Sequence, residues 1–157
     1  MRIGVLSDSH GKLKKAEEAL QRIGDIELLL HAGDYYEDAL RLGKTFGVKV
    51  KGVAGNCDSY APGPVEELLE IDGYRIYLTH GHLFGVKQSL ARLYRRAEDL
   101  GADIVIYGHT HVPHQEEKNG ILFLNPGSIA WQRLPGQYSF AVLEFHQSGY
   151  TVETCEL

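Results

Sequence analysis

The stretch Arg2-Ile3-Gly4-Val5-Leu6-Ser7-Asp8-Ser9-His10 is an apolar run that stops abruptly in polar side chains. Such a run, bounded by polar turn residues, predicts a buried strand over Arg2–Ser7. The same grammar repeats downstream. Ile26–His31 runs into Gly33-Asp34, and Val48–Ala54 runs into Gly55-Asn56-Cys57-Asp58. Between these runs, Lys12–Ile23 places Leu13, Ala16, Leu20 and Ile23 on one helical face and Lys14, Glu17 and Glu18 on the other. Tyr36–Phe46 reads as a second helix. Strand, helix, strand, helix, strand is the rhythm of a parallel sheet.

The rest of the chain changes rhythm. Lys87–Leu100 predicts a third helix and Asp103–Tyr107 a strand. Val65–Ile71 and Tyr74–Thr79 flank Asp72-Gly73, and His114–Lys118 and Ile121–Leu124 flank Asn119-Gly120. Both dipeptides suit two-residue hairpin turns, because their residues tolerate positive φ. Tyr138–Phe145 and Tyr150–Glu156 flank Gln147-Ser148-Gly149 and predict a third hairpin. Together these elements predict a mixed α/β sandwich. Ser59–Pro64 reads as an internal loop, and the chain shows no repeat or linker.

Composition narrows the function classes. A chain of 157 residues, 43% hydrophobic and 24% charged, fits one globular domain spanning 1–157. Cys57 and Cys155 form no C-x-x-C pair, so neither a disulfide framework nor a thiolate zinc site is expected. The net charge of −5 carries no strong nucleic-acid signal. No apolar run approaches the ~18 residues of a membrane helix, so no membrane role is expected. The polar cluster at Ser7–His10 interrupts any signal-peptide pattern, which makes a cytoplasmic location the expectation.

The strand ends carry the chemistry. The next two after Asp58 finish at His80-Gly81-His82 and at Gly108-His109-Thr110-His111. Ligands of open α/β sheets gather beyond the carboxyl ends of the strands. Five successive ends therefore deliver Asp8, His10, Asp34, Asn56, His80, His109 and His111 to one rim. Carboxylate, imidazole and amide oxygen are ligands for borderline or hard divalent metals. Seven exceed what one open catalytic ion needs and suit two ions sharing a carboxylate, an arrangement that assists in-line displacement at phosphorus. His31, His114 and His146 lie outside these clusters and read as structural or surface residues.

The ordered set Asp8-x-His10, Gly33-Asp34, Gly55-Asn56-Cys57-Asp58, His80-Gly81-His82 and Gly108-His109-Thr110-His111 resembles the calcineurin-like metallophosphoesterase superfamily. With Asn125-Pro126-Gly127-Ser128, it is most similar to the small single-domain prokaryotic phosphodiesterase branch. The resemblance covers essentially the whole chain. It implies a four-layer α/β/β/α sandwich of two mixed sheets flanked by helices, with a dinuclear site on the strand C-terminal rim. It also implies that Asp8, His10, Asp34 and His111 hold one ion, and that Asp34 bridges to a second held by Asn56, His80 and His109. Mn²⁺ is the first expectation for both ions, with Ni²⁺, Fe or Zn²⁺ as alternatives.

The implied reaction is hydrolysis of a small phosphoester, a phosphodiester first, by a hydroxide bridging the two ions. No side-chain nucleophile is needed. One departure stands out: many members carry a histidine acid where this chain has Cys57. His82 then becomes the candidate for phosphate binding or proton transfer, beside Asn56 as the second catalytic candidate, while Cys57 reads as a small packing residue. Asn125–Ser128 is a turn whose polar ends could face the same rim.

Other readings share the fold. A non-catalytic scaffold that mediates protein interactions, such as the retromer subunit, replaces the histidine of Asp-x-His, which is retained here as His10. A phosphomonoesterase would use the same centre. A nuclease would want a basic stripe, and Arg92, Arg95 and Arg96 read instead as the solvated face of the third helix. Monomer and homo-oligomer are both open.

Overall fold

The computed structural model describes residues 1–59, 63–131 and 138–157. The opening strand, β1 (Arg2–Leu6), lies at the centre of the first sheet. It pairs in parallel with β2 (Leu28–His31), which pairs in parallel with β3 (Lys49–Gly52). On its other side β1 meets β9 (Ser139–His146) antiparallel, and β9 pairs with β10 (Gly149–Glu156). The second sheet runs β4 (Glu66–Ile71), β5 (Tyr74–Thr79), β6 (Ile104–Ile106), β8 (Ile121–Pro126), β7 (Pro113–Lys118), with β5, β6 and β8 parallel. Both sheets are mixed, as expected.

Period-2 alternation builds the layers. Ile3 and Val5 of β1 face the second sheet and meet residues such as Ile76, Leu78, Ile104, Ile106, Leu122 and Leu124. Leu6 and Leu29 face outward instead, under helix α1 (Leu13–Ile23), where Ala16, Leu20 and Ile23 cover them. Helix α2 (Tyr36–Phe46) adds Leu42 to the same layer. On the far side, Tyr77, Val105 and Phe123 pack against Leu93 and Ala97 of α3 (Ala91–Leu100). The order is helix, sheet, sheet, helix. Among the described residues no helix is long and apolar enough to cross a membrane.

The sequence pattern misplaces some boundaries. The strand predicted over Ile26–His31 starts only at Leu28, and the one predicted over Val48–Ala54 spans Lys49–Gly52, with Val53 and Ala54 buried beyond its end. Ala54 instead donates its amide to the carbonyl of Pro64 at 2.7 Å. The helix expected over Lys87–Leu100 begins at Ala91. A 3₁₀ turn at His82–Phe84 and a turn closed on the Gly85 carbonyl precede it. Ser89 Oγ accepts the Ala91 amide at 3.1 Å just ahead of the helix, whose N-cap residue is Leu90. The loop expected over Ser59–Pro64 lies partly outside the described residues.

Candidate metal centre

Asp8 follows β1 directly, and its carboxylate is buried. One oxygen, Oδ2, accepts hydrogen bonds from the Ser7 hydroxyl and from the His109 amide, the latter at 3.1 Å. The other, Oδ1, makes none, although His111 Nε2 lies 3.0 Å away and His10 Nε2 3.9 Å away. His10 Nε2 is also buried without a hydrogen bond, 3.5 Å from Asp34 Oδ2. Ligand atoms of Asp8, His10, Asp34 and His111 all lie within 4.8 Å of one another.

This spacing tests the fit to a metal. Bonds of about 2.0–2.2 Å to nitrogen and oxygen put two ligands of one ion roughly 3–4 Å apart, and these pairs fall in that range. A buried polar atom without a partner is costly. Asp8 Oδ1 and His10 Nε2 are two such atoms side by side, and a divalent cation between them would satisfy both. The four residues fit the group.

A second set adjoins the first across Asp34. Asp34 Oδ1 accepts the Cys57 amide at 2.9 Å and lies 3.4 Å from His80 Nε2. That nitrogen is also 3.2 Å from Asn56 Oδ1. His80 Nδ1 lies 2.7 Å from the Ala32 carbonyl, which fixes a proton there and leaves Nε2 facing Asp34 and Asn56. The His109 ring meets His80 edge-on at 5.0 Å. His82 stands 5.3 Å from His80 and 6.1 Å from His109, with Nδ1 buried and unpartnered. All eight candidate residues therefore share one rim, fed by strands of both sheets.

The local backbone is costly. Asp8, His10, Asp34, His109 and His111 all have φ between 44° and 68°, where non-glycine residues are uncommon. Such strain persists only where surroundings impose it, and it clusters at functional sites. The glycines beside these residues let the loops approach closely. A Cβ on Gly55 would strike the Asp34 carboxylate, and one on Gly108 would lie 2.8 Å from Asp8 Oδ2 and 2.9 Å from the Ala32 carbonyl.

Electrostatics follow from burial and pairing. Asp34 is held well below the usual carboxylate range, because hydrogen bonds from His80 and Cys57 outweigh its burial. Burial opposes charge on His80, but the bond to Asp34 and the charges of Asp8 and Asp34 raise it. A bound cation would compete with that proton. His109 is pushed down to about 4, by burial first and by His80 next. Burial and then Asp34 push the Cys57 thiol up to about 11, so no thiolate stands at the rim. Its Sγ is 3.5 Å from Asn56 Nδ2.

Several further residues support the cluster. Asp58 accepts the amides of Tyr35, Tyr36 and Gly55 at 3.1, 2.7 and 2.7 Å, tying the Asp34 loop to the Asn56 loop. Its place beside Cys57 in the third cluster was the available clue. Asp38 accepts Ser9 Oγ and the Gly11 amide, each at 2.8 Å. The Asn125–Ser128 turn is buried support: Asn125 Nδ2 donates to the Gly108 carbonyl at 2.9 Å, and Ser128 Oγ donates to the Asp8 carbonyl at 2.9 Å.

His31 is structural, and His114 and His146 lie outside the cluster. The Gly33 amide donates to His31 Nδ1 at 3.3 Å, which leaves the proton on Nε2 facing Ser9 Oγ at 3.2 Å. Burial depresses His31 from 6.5 to about 4. In the window between those values the unfolded chain binds the proton and the folded one does not, so stability falls as pH falls from about 6.5 towards 4. The full loss is on the order of 3 kcal/mol at about 1.4 kcal/mol per pH unit. Urea unfolding of wild type and His31→Gln between pH 7 and pH 4.5 checks this: the variant should be less stable at pH 7 but lose less on acidification. Parallel slopes contradict it.

Comparison with known proteins agrees with the geometry. The calcineurin-like phosphoesterase superfamily domain matches residues 1–148. The chain is 38% identical to the probable metallophosphoesterase YsnB of Bacillus subtilis, over 97% of this chain and 89% of that one. It is 29% identical to the phosphodiesterase YfcE of Escherichia coli, over 92% and 88%. The crystal structure of Vps29 from Entamoeba histolytica with Zn²⁺ shares the fold, with a TM-score of 0.77, 24% identity and 99% of both chains covered. Fold, ordered motifs and an Asp/His cluster at the sheet rim all agree: the chain belongs to the calcineurin-like phosphoesterase superfamily.

Proposed function

We propose that this protein hydrolyses small phosphodiesters at a dinuclear centre, with residues 1–157 working as one domain because both sheets supply the site. Asp8, His10, Asp34 and His111 would hold one divalent ion. Asp34, Asn56, His80 and His109 would hold the second, with Mn²⁺ the first choice and Ni²⁺, Fe or Zn²⁺ as alternatives. The observation that carries this is the pair of buried, unpartnered atoms Asp8 Oδ1 and His10 Nε2 inside the Asp/His cluster. The bridging role of Asp34 rests on its two oxygens facing opposite ways, Oδ2 towards His10 and Oδ1 towards His80.

Such ions, when bound, supply an acidified water as nucleophile and neutralise charge on the phosphoryl oxygens. The chain's own residues do the rest. Water oxygen bonds to phosphorus as the P–O bond to the leaving group breaks, and the products are a phosphomonoester and an alcohol. The His80 Nδ1 contact to Ala32 keeps its ring from turning. Cys57, raised to about 11 and bonded through its amide to Asp34, serves as a backbone donor. His82, at the His80–His109 side, would donate a hydrogen bond to the departing oxygen.

The diester preference rests on YfcE, which carries the name phosphodiesterase. Against the scaffold reading stands His10, which is present and aimed between Asp8 and Asp34.

A series of Mn²⁺-dependent diester hydrolyses tests the scheme. Wild type should favour activated aryl esters over alkyl esters. His82→Ala should slow alkyl esters more than aryl ones, by roughly 10²-fold or more for the poorest leaving groups, without changing metal content. An equal loss across the series, or a selective loss in Cys57→Ala, overturns the role given to His82. Absence of metal-dependent hydrolysis overturns the enzymatic reading.

A further inference from the structure

Two large aromatic side chains border His10 and are not taken into the core. The Tyr35 ring, 42% exposed, lies 5.5 Å from the imidazole, and the Trp131 ring, 54% exposed, lies 6.1 Å from it edge-on. Each is anchored by the groups that hold the carboxylates. Tyr35 follows Asp34 immediately, at φ 75°, with its amide bonded to Asp58 at 3.1 Å. The Trp131 amide donates at 2.9 Å to Ser128 Oγ, the same hydroxyl that donates to the Asp8 carbonyl. Lys12 Nζ, 5.9 Å from the indole centre, adds positive charge at that edge.

Exposed aromatic rings on anchored backbone beside a metal centre suit a ligand that is planar at one end and anionic at the other. An acidic chain, net −5, does not suit a long polynucleotide, so the planar group belongs to a small molecule. From the phosphodiesterase reading above, on which this rests, we infer that Tyr35 and Trp131 form a stacking platform for the base of a nucleoside phosphodiester. The base lies on the His10 side of the centre and the departing alcohol on the His82 side. Hydrolysis then leaves a nucleoside monophosphate as the product held by the platform.

Binding of adenosine monophosphate and ribose 5-phosphate to the Mn²⁺-loaded protein tests this without turnover. Trp131 is the single tryptophan, so its fluorescence reports the platform directly. Adenosine monophosphate should quench it and bind about 5- to 150-fold more tightly than ribose 5-phosphate, the range that one base–aromatic stack supplies. Trp131→Ala should remove most of that preference while leaving ribose 5-phosphate affinity unchanged. Tyr35→Asn should reduce it too, since asparagine keeps the left-handed backbone and removes the ring. Equal affinities in wild type, or a preference that survives both substitutions, overturn the inference. Mn²⁺-dependent binding of ribose 5-phosphate that Asp34→Asn abolishes supports the metal centre alone, so failure of the platform is distinguishable from failure of the phosphodiesterase reading.

Discussion

Asp34→Asn is expected to lower kcat/KM by about a thousandfold or more and to weaken both metal sites together. Several kcal/mol of transition-state stabilisation come from paired cations, and each 1.4 kcal/mol is a factor of ten. The reason lies in the two oxygens: Oδ2 sits 3.5 Å from His10 Nε2 and Oδ1 sits 3.4 Å from His80 Nε2. Asparagine keeps one oxygen, loses the charge and turns an amide towards one of the two sets. Asn56→Ala should cost less, since it removes one neutral ligand from one ion. Metal analysis with steady-state kinetics checks the pair. An Asp34→Asn protein that keeps both ions and a near-normal rate contradicts the bridging role.

Gly108→Ala should lower stability and weaken the Asp8 end of the metal centre together. Its φ lies outside the left-handed region, so the effect is steric rather than conformational. The new Cβ would collide with Ser7 Oγ and press on Asp8 Oδ2 at 2.8 Å and on the Ala32 carbonyl at 2.9 Å. The carbonyl cannot withdraw freely, because the end of β2 is tied to the first loop by the Asp8 amide bonding to Gly33 at 2.9 Å. Overpacking of this kind costs about 1–3 kcal/mol, or a Tm fall of roughly 2–12 °C at this chain length. Because Asp8 is one of the displaced groups, Mn²⁺ affinity should fall with stability. Calorimetric scans with and without Mn²⁺ measure both. Unchanged Tm and unchanged Mn²⁺ stabilisation would show that the packing around Gly108 is looser than described.

The motif residues were legible because their signals are local. Each cluster follows an apolar run, and the end of a run can be read without knowing its neighbours. The hairpins at Asp72-Gly73 and Asn119-Gly120 were legible for the same reason, and both Asp72 and Asn119 adopt the expected positive φ. Sheet order was not legible, since β1 finds β9 across more than a hundred residues and no local pattern encodes that choice. The supports Asp38 and Asp58 escaped for the same cause, because their partners include groups on other loops. The start of α3 escaped because Lys87–Leu90 keeps helical spacing, while the turn closed on the Gly85 carbonyl takes up the amides of Gln88 and Ser89.

Titration of metal-stripped protein with Mn²⁺, followed by hydrolysis of bis(p-nitrophenyl) phosphate, tests the central claim most directly. No hydrolysis is expected without metal, and activity should rise to a plateau at two equivalents of Mn²⁺ per chain in wild type and stay at least about a thousandfold lower in Asp34→Asn. Hydrolysis that persists without metal, or that survives in Asp34→Asn at the same plateau, would contradict it.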